Sequence, residues 1–124
     1  GRRLGICLQV DLSDPDAAGN GGPGPGGQAH RGGARPDDVP ELADLVAGSA
    51  HLDLLGVMAV APLGADPQPA FERLAAVHDR LIAGHPQALM RSAGMSGDLA
   101  AAVVTGATHV RLGSALLGHR ESLK

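Results

Sequence analysis

The sequence predicts a parallel α/β sheet of four strands alternating with three helices. Three observations carry that prediction. Leu4 to Leu12 and Leu52 to Val60 are near-continuous apolar runs bounded by turn formers, as in strands covered on both faces. Apolar stripes at helical spacing separate these runs from one another and from the C-terminal segment. Finally, that segment, Arg91 to Arg120, reads as strand, tight loop, helix, strand and loop.

Taken in order, LGICLQVDL forms the first strand and ends at Gln9-Val10-Asp11. A Gly/Pro-rich stretch at about 13–35 comes next, with Gly19, Gly21, Gly22, Gly24, Pro23 and Pro25 among its residues. It has almost nothing to bury and reads as a flexible surface insertion. It is not a phosphate loop, because no Gly-Lys-Ser/Thr comes after it. Asp38-Val39-Pro40-Glu41 looks like a helix start with a carboxylate cap, and Val39, Leu42, Leu45 and Val46 make the apolar face up to Gly48. The second strand, LDLLGVMAV, carries a glycine inside it. Pro69 to Ala83 is the clearest helix, with Phe71, Leu74, Val77 and Leu81 on one face and His78 assigned to the polar side. Gly84 and Pro86 stop it. Ser92-Ala93-Gly94-Met95 closes a short third strand, and Ser96 reads as the N-cap of a helix carrying Leu99, Ala102 and Val103. Gly106 fits a left-handed helix stop, Thr108 to Leu112 alternates into a fourth strand, and Gly113-Ser114 opens a second loop.

Composition narrows the function. With 124 residues the chain suits one domain, and the net charge of −3 leaves no basic footprint for nucleic acid. Phe71 is the only aromatic residue, so base stacking is nearly excluded as well. No apolar run is long enough to span a membrane, and the first residues do not read as a signal peptide. Cys7 is the only cysteine, which leaves no internal disulfide or thiolate metal site and makes a reducing cytoplasm the default. The six histidines show no HxxxH or HxH spacing, so no metal site is expected. Lys124 is the only lysine, so no internal lysine can form a Schiff base. The chain begins without methionine and almost directly in a strand, and reads as a piece of a longer protein.

In parallel α/β folds, sites lie at the carboxyl ends of the strands. The positions there are Met58, Ser92, Arg111, Gly113 and Ser114. Two small-residue loops, each just after a strand, suit a phosphate, because backbone N–H groups can approach it closely. Arg111 shares a strand face with His109 and Gly113 and points into packed protein if the sheet is covered. It is either a ligand-binding cation or half of a structural ion pair with Asp11 or Asp53. Ser92, Gly113 and Ser114 are either phosphate ligands or plain turn residues.

These residues carry a family resemblance. Ser92-Ala93-Gly94-Met95-Ser96-Gly97-Asp98 resembles the S-x-G-M-S-x-D pattern of the pyridoxal-phosphate homeostasis proteins, relatives of the N-terminal barrel of alanine racemase. Gly106 to Arg120 resembles their G-x-T-x-V-R-x-G-[ST]-A-[LI]-[LF]-G-x-R run. Gly56-Val57-Met58-Ala59 resembles their G-L-M-A strand, and Leu8-Gln9-Val10-Asp11 their I-Q-V-N strand. The likeness implies that residues 1–124 are the C-terminal half of a (β/α)8 TIM-type barrel holding pyridoxal 5′-phosphate (PLP) at the carboxyl ends of its strands. Carried over, Ser92, Gly113 and Ser114 bind the phosphate, Arg111 faces the pyridine nitrogen, and Met58 lies among the cofactor-binding positions. The family's Schiff-base lysine belongs to an early strand in the absent first half, and Lys124 is no substitute for it.

The implied role is a non-catalytic carrier that limits free PLP and serves PLP-dependent apo-enzymes, with neither nucleic acid nor membrane as partner. The alternatives are an amino-acid racemase-type PLP enzyme and a truncated fragment without stable function. Racemases of that class add a domain with a catalytic tyrosine, and this chain has no tyrosine. Four strands cannot close an eight-stranded barrel, and their edges invite pairing with another chain.

Overall fold

Leu4–Gln9 (β1), Leu52–Met58 (β2) and Met90–Ser92 (β3) form a parallel sheet in the order β1-β2-β3, in a computed structural model that describes residues 2–13 and 32–118. The stretch expected as an insertion lies outside the described residues except at its two ends. Val39–Ala47 (α1), preceded by a 3-10 turn at Pro36–Asp38, joins β1 to β2. Pro67–Gly84 (α2) joins β2 to β3, and Leu99–Val104 (α3) and Ser114–Leu117 (α4) lie beyond β3 in the chain. Strands that neighbour one another in chain order, linked by right-handed crossovers, place their helices on one face of the sheet. The burial agrees. Leu8, Leu54 and Val57 are buried with Val39 and Ala43 of α1 and with Phe71, Leu74, Val77 and Leu81 of α2. Asp53 and Leu55 are exposed, so β2 is not covered on both faces as its apolar run suggested.

The local signals meet mixed outcomes. Asp66 caps α2, its carboxylate accepting from the Gln68 N–H at 3.0 Å. Gly106 takes the expected left-handed conformation, at φ +89°. Its N–H reaches the Val103 carbonyl (3.1 Å) and that of Ala107 reaches the Ala102 carbonyl (3.0 Å), a Schellman stop. Ser96 does not cap α3. That helix starts at Leu99 behind Asp98, and the Asp98 carboxylate turns back to accept from the Met95 N–H at 2.6 Å. On α1 the buried residues are Val39 and Ala43, while Leu45 is 67% exposed, so the stripe is rotated from the expected one.

The fourth strand is a correction. Thr108 to Leu112 runs beside β3 but makes only one bridge, Ser92 to His109. The Ala93 N–H donates to the His109 carbonyl (3.0 Å), and the Arg111 N–H then reaches Gly94 rather than Ala93 (2.8 Å). That slip of one residue reflects the turn of the chain at Gly94, where φ is +100°. The described structure therefore has three strands and not four. Among the described residues, no helix is long and apolar enough to cross a membrane.

His78 is a second correction, because it is 2% exposed and belongs to the buried face of α2. Arg91 Nε donates to His78 Nδ1 at 3.0 Å, and His78 Nε2 lies 2.7 Å from the Ala88 carbonyl. A guanidinium only donates, so Nδ1 is the acceptor and Nε2 carries the proton given to Ala88. Arg91 also donates to the Thr105 carbonyl (2.7 Å) and faces Asp79 (3.6 Å), which ties β3 to α2 and to the end of α3. Burial pushes the His78 pKa down, with the Arg91 charge adding to it, against the opposing pull of the Ala88 hydrogen bond and Asp79. The native state therefore binds this proton less readily than the unfolded chain. Stability falls as pH drops below about 6.5, by at most about 1.4 kcal/mol per pH unit from this group. Urea unfolding monitored by circular dichroism at pH 5.5 and 7.5 should show this loss, and His78→Gln should reduce it. An equal loss in both proteins would clear His78 as its source.

Candidate functional site

The carboxyl ends of the strands bring Met58, Ser92 and Arg111 together around one peptide. Met58 ends β2 and pairs with Ser92, which ends β3, while Gln9 of β1 pairs with Met58 from the other side. Because His109 bridges Ser92, Gln9, Met58, Ser92 and His109 share one face, opposite the helices. Ala59 is the hub. Its N–H donates to the Ser92 carbonyl at 3.0 Å, and its own carbonyl accepts from Arg111 Nη2 at 2.8 Å.

Arg111 is half-buried, and its Nε is a buried donor with no partner among the described residues. A carboxylate explanation through Asp53 fails, because Asp53 is held by Arg3 Nε at 2.6 Å. The Asp11 carboxylate accepts from the Ser13 N–H (2.9 Å) and the Ser13 hydroxyl (2.5 Å). An unmet buried donor costs about 1–3 kcal/mol, so its retention calls for a partner beyond the described residues.

The two small-residue loops also meet. The Ser96 hydroxyl, in the loop after β3, accepts from the Ala115 N–H at 2.9 Å. In the opening turn of α4, the Leu116 and Leu117 N–H groups go to the Gly113 carbonyl, at 3.1 and 2.8 Å. That leaves the N–H groups of Gly113 and Ser114 without a partner among the described residues. A Cβ built on Gly113 would meet nothing within 4 Å, so packing does not require glycine there.

Burial pushes the Cys7 thiol up, and its Sγ lies 3.1 Å from Met90 Sδ, so it stays protonated and is a poor nucleophile. Among the described residues, no cluster of histidine, cysteine or acidic side chains could hold a metal. Sequence reasoning picked out Met58, Ser92, Arg111, Gly113 and Ser114 but missed Ala59 as the hub and the Ser96–Ala115 link. Each has a backbone group at one end, the Ala59 peptide or the Ala115 N–H, and that end leaves no side-chain signal.

Residues 26–121 match the family model for the N-terminal domain of alanine racemase. The pyridoxal phosphate homeostasis protein of Mycobacterium tuberculosis is 41% identical over 123 residues, covering 97% of this chain and 43% of that protein. Its namesake in Pseudomonas aeruginosa is 36% identical, covering 95% of this chain and 46% of the relative. A crystal structure of an unknown protein from Bifidobacterium adolescentis shares the fold, with TM-score 0.77 at 23% identity, over 94% of this chain and 44% of the other. PipY of Synechococcus elongatus, solved with PLP bound, superposes with TM-score 0.66 at 28% identity, over 95% of this chain and 50% of PipY. The chain thus spans about two-fifths to one half of the length of these proteins. A family match over three-quarters of the sequence, on a parallel α/β frame, settles the lineage: this chain belongs to the alanine racemase N-terminal domain family.

Proposed function

We propose that the chain forms one wall of a PLP site in a (β/α)8 barrel whose role is to hold the cofactor and pass it to PLP-dependent apo-enzymes in the cytoplasm, without catalysis of its own. The observation that carries this is Arg111, whose buried Nε is an unmet donor at the carboxyl ends of the strands. The relatives named for PLP homeostasis and the PLP-bound PipY structure supply the ligand class.

The residues present fit that ligand. The free N–H groups of Gly113 and Ser114, with the Ser92 hydroxyl, offer donors to a phosphate. Met58 lines the same face. Arg111 Nε offers a hydrogen bond to the pyridine nitrogen. When bound, PLP supplies a reactive aldehyde and an electron-accepting ring. A cation that donates to the ring nitrogen keeps it unprotonated, which weakens the ring as an electron sink and suits storage better than amino-acid chemistry.

The test separates the ring from the phosphate. In the intact protein, Arg111→Ala should shift the absorption band of bound PLP. The ratio of PLP to pyridoxal affinity should stay within about threefold, because the phosphate contacts are made elsewhere. A collapsed ratio with an unchanged spectrum would reverse these assignments. Clear interconversion of D- and L-alanine would overturn the non-catalytic role.

A further inference from the structure

We infer that His78 and Arg91 form a proton-operated latch on the stretch from Thr105 to Arg111, closed while the His78 ring is neutral and released when the ring takes a second proton. The device needs no ligand and stands apart from the PLP reading. Arg91 holds that stretch in two ways. Its N–H donates to the Thr108 hydroxyl at 2.8 Å, and its carbonyl accepts from the Thr108 and His109 N–H groups at 2.9 and 3.2 Å. Its guanidinium donates from Nη1 to the Thr105 carbonyl at 2.7 Å. Packing adds little, because Thr108, His109 and Val110 are exposed.

His78 decides where that guanidinium sits. Arg91 Nε donates to His78 Nδ1 at 3.0 Å, and the His78 Nε2–H is given to the Ala88 carbonyl at 2.7 Å. A second proton can go only on Nδ1, which already accepts from a cation. Protonation sets two donors, both on positive groups, 3.0 Å apart. His78 is 2% exposed and the Arg91 side chain 12%, so water relieves little of that repulsion. Asp79 of α2 favours the proton and Arg91 of β3 opposes it. Asp79 is 77% exposed and 3.6 Å from the guanidinium, so its pull is screened. The helix α3, packed on α2, carries no titratable side chain, while Asp44 of α1 faces His85 and Asp53 of β2 faces Arg3. Relief comes when Arg91 swings away and gives up Thr105, which frees the stretch that leads to Arg111. An opened His78 regains its ordinary proton affinity, near pH 6.5, so the latch is fully closed above that value and weakens as pH falls below it.

Hydrogen exchange separates this local opening from unfolding of the whole molecule. In the intact protein, amide protection, corrected for the intrinsic rate at each pH, is measured by NMR at pH 7.5 and 5.0 for Thr108, His109 and Arg111, with Leu74 and Val77 of α2 as the global reference. In wild type the stretch should be less protected than α2 at both values and should lose about tenfold of its protection at pH 5.0. His78→Gln keeps an acceptor and a donor but cannot take the proton, so its protection should change by less than about twofold. Arg91→Met should be poorly protected at pH 7.5 already and insensitive to pH. Wild-type protection independent of pH would overturn the inference, because the stretch would then open without His78. Protection equal to that of α2 would overturn it too, since the stretch would then open only with the whole molecule. So would a tenfold loss that persists in His78→Gln, or an Arg91→Met protein as well protected as wild type. The wild-type comparison decides the matter by itself where a variant does not fold.

Discussion

Gly56→Ala should cost the protein its sheet. A Cβ on Gly56 would lie 1.8 Å from the Met90 carbonyl oxygen and 2.6 Å from its carbon, both backbone atoms that cannot swing aside. The residue also sits at φ +152°, which L side chains rarely adopt. Gly56 pairs with Cys7 on one side and Met90 on the other, next to the point where the register of β1 on β2 shifts. Backbone strain and forced separation of β2 from β3 together should remove more than about 3 kcal/mol. Circular dichroism during urea unfolding reads this directly. Gly84→Ala is the control, because a Cβ there meets nothing within 4 Å and its φ is not positive. It should be neutral or slightly stabilising. A normal midpoint for Gly56→Ala would mean that β2 and β3 do not pair in this register.

The next largest effect is expected at Phe71. It is the largest fully buried side chain, 1% exposed, and it joins α2 to the sheet within a core otherwise made of small and aliphatic residues. Removing its ring leaves a cavity in that core, so Phe71→Ala should cost about 3–5 kcal/mol. Leu116→Ala, at a side chain 75% exposed, should stay within about 0.5 kcal/mol. With no tryptophan or tyrosine in the chain, intrinsic fluorescence cannot track unfolding, and circular dichroism is again the probe. Similar losses for the two variants would place the core somewhere other than under α2.

Much of the fold was legible because it rests on local patterns. The stripe on α2, the left-handed stop at Gly106 and the parallel pairing of β1 with β2 derive from periodicity and from the geometry of glycine. His78 reads as polar-side because Asp79 and Arg80 come directly after it in sequence, although its neighbours one turn away, Leu74, Ala75, Leu81 and Ile82, are apolar. Its own ring is drawn inward by Arg91 of β3 and by the Ala88 carbonyl of the loop before it, contacts that helix periodicity does not record. Thr108 to Leu112 alternates like a strand, but alternation records only which side chains face which way. Whether a ladder forms depends on the partner backbone, and here Gly94 turns that partner away after one bridge.

The candidate site divides along the same line. Residue types and spacing determined that two glycine- and serine-rich loops lie on either side of one arginine, because short-range sequence encodes loop chemistry. Only the tertiary structure decided that Arg111 is satisfied by the Ala59 carbonyl at one end and unmet at Nε. Only it showed Ser96 reaching across to Ala115 rather than capping its own helix. Hydrogen bonds between segments far apart in sequence depend on how backbone groups meet in space. Backbone groups are the same at every residue but proline, so the amino-acid order does not mark where such bonds will form.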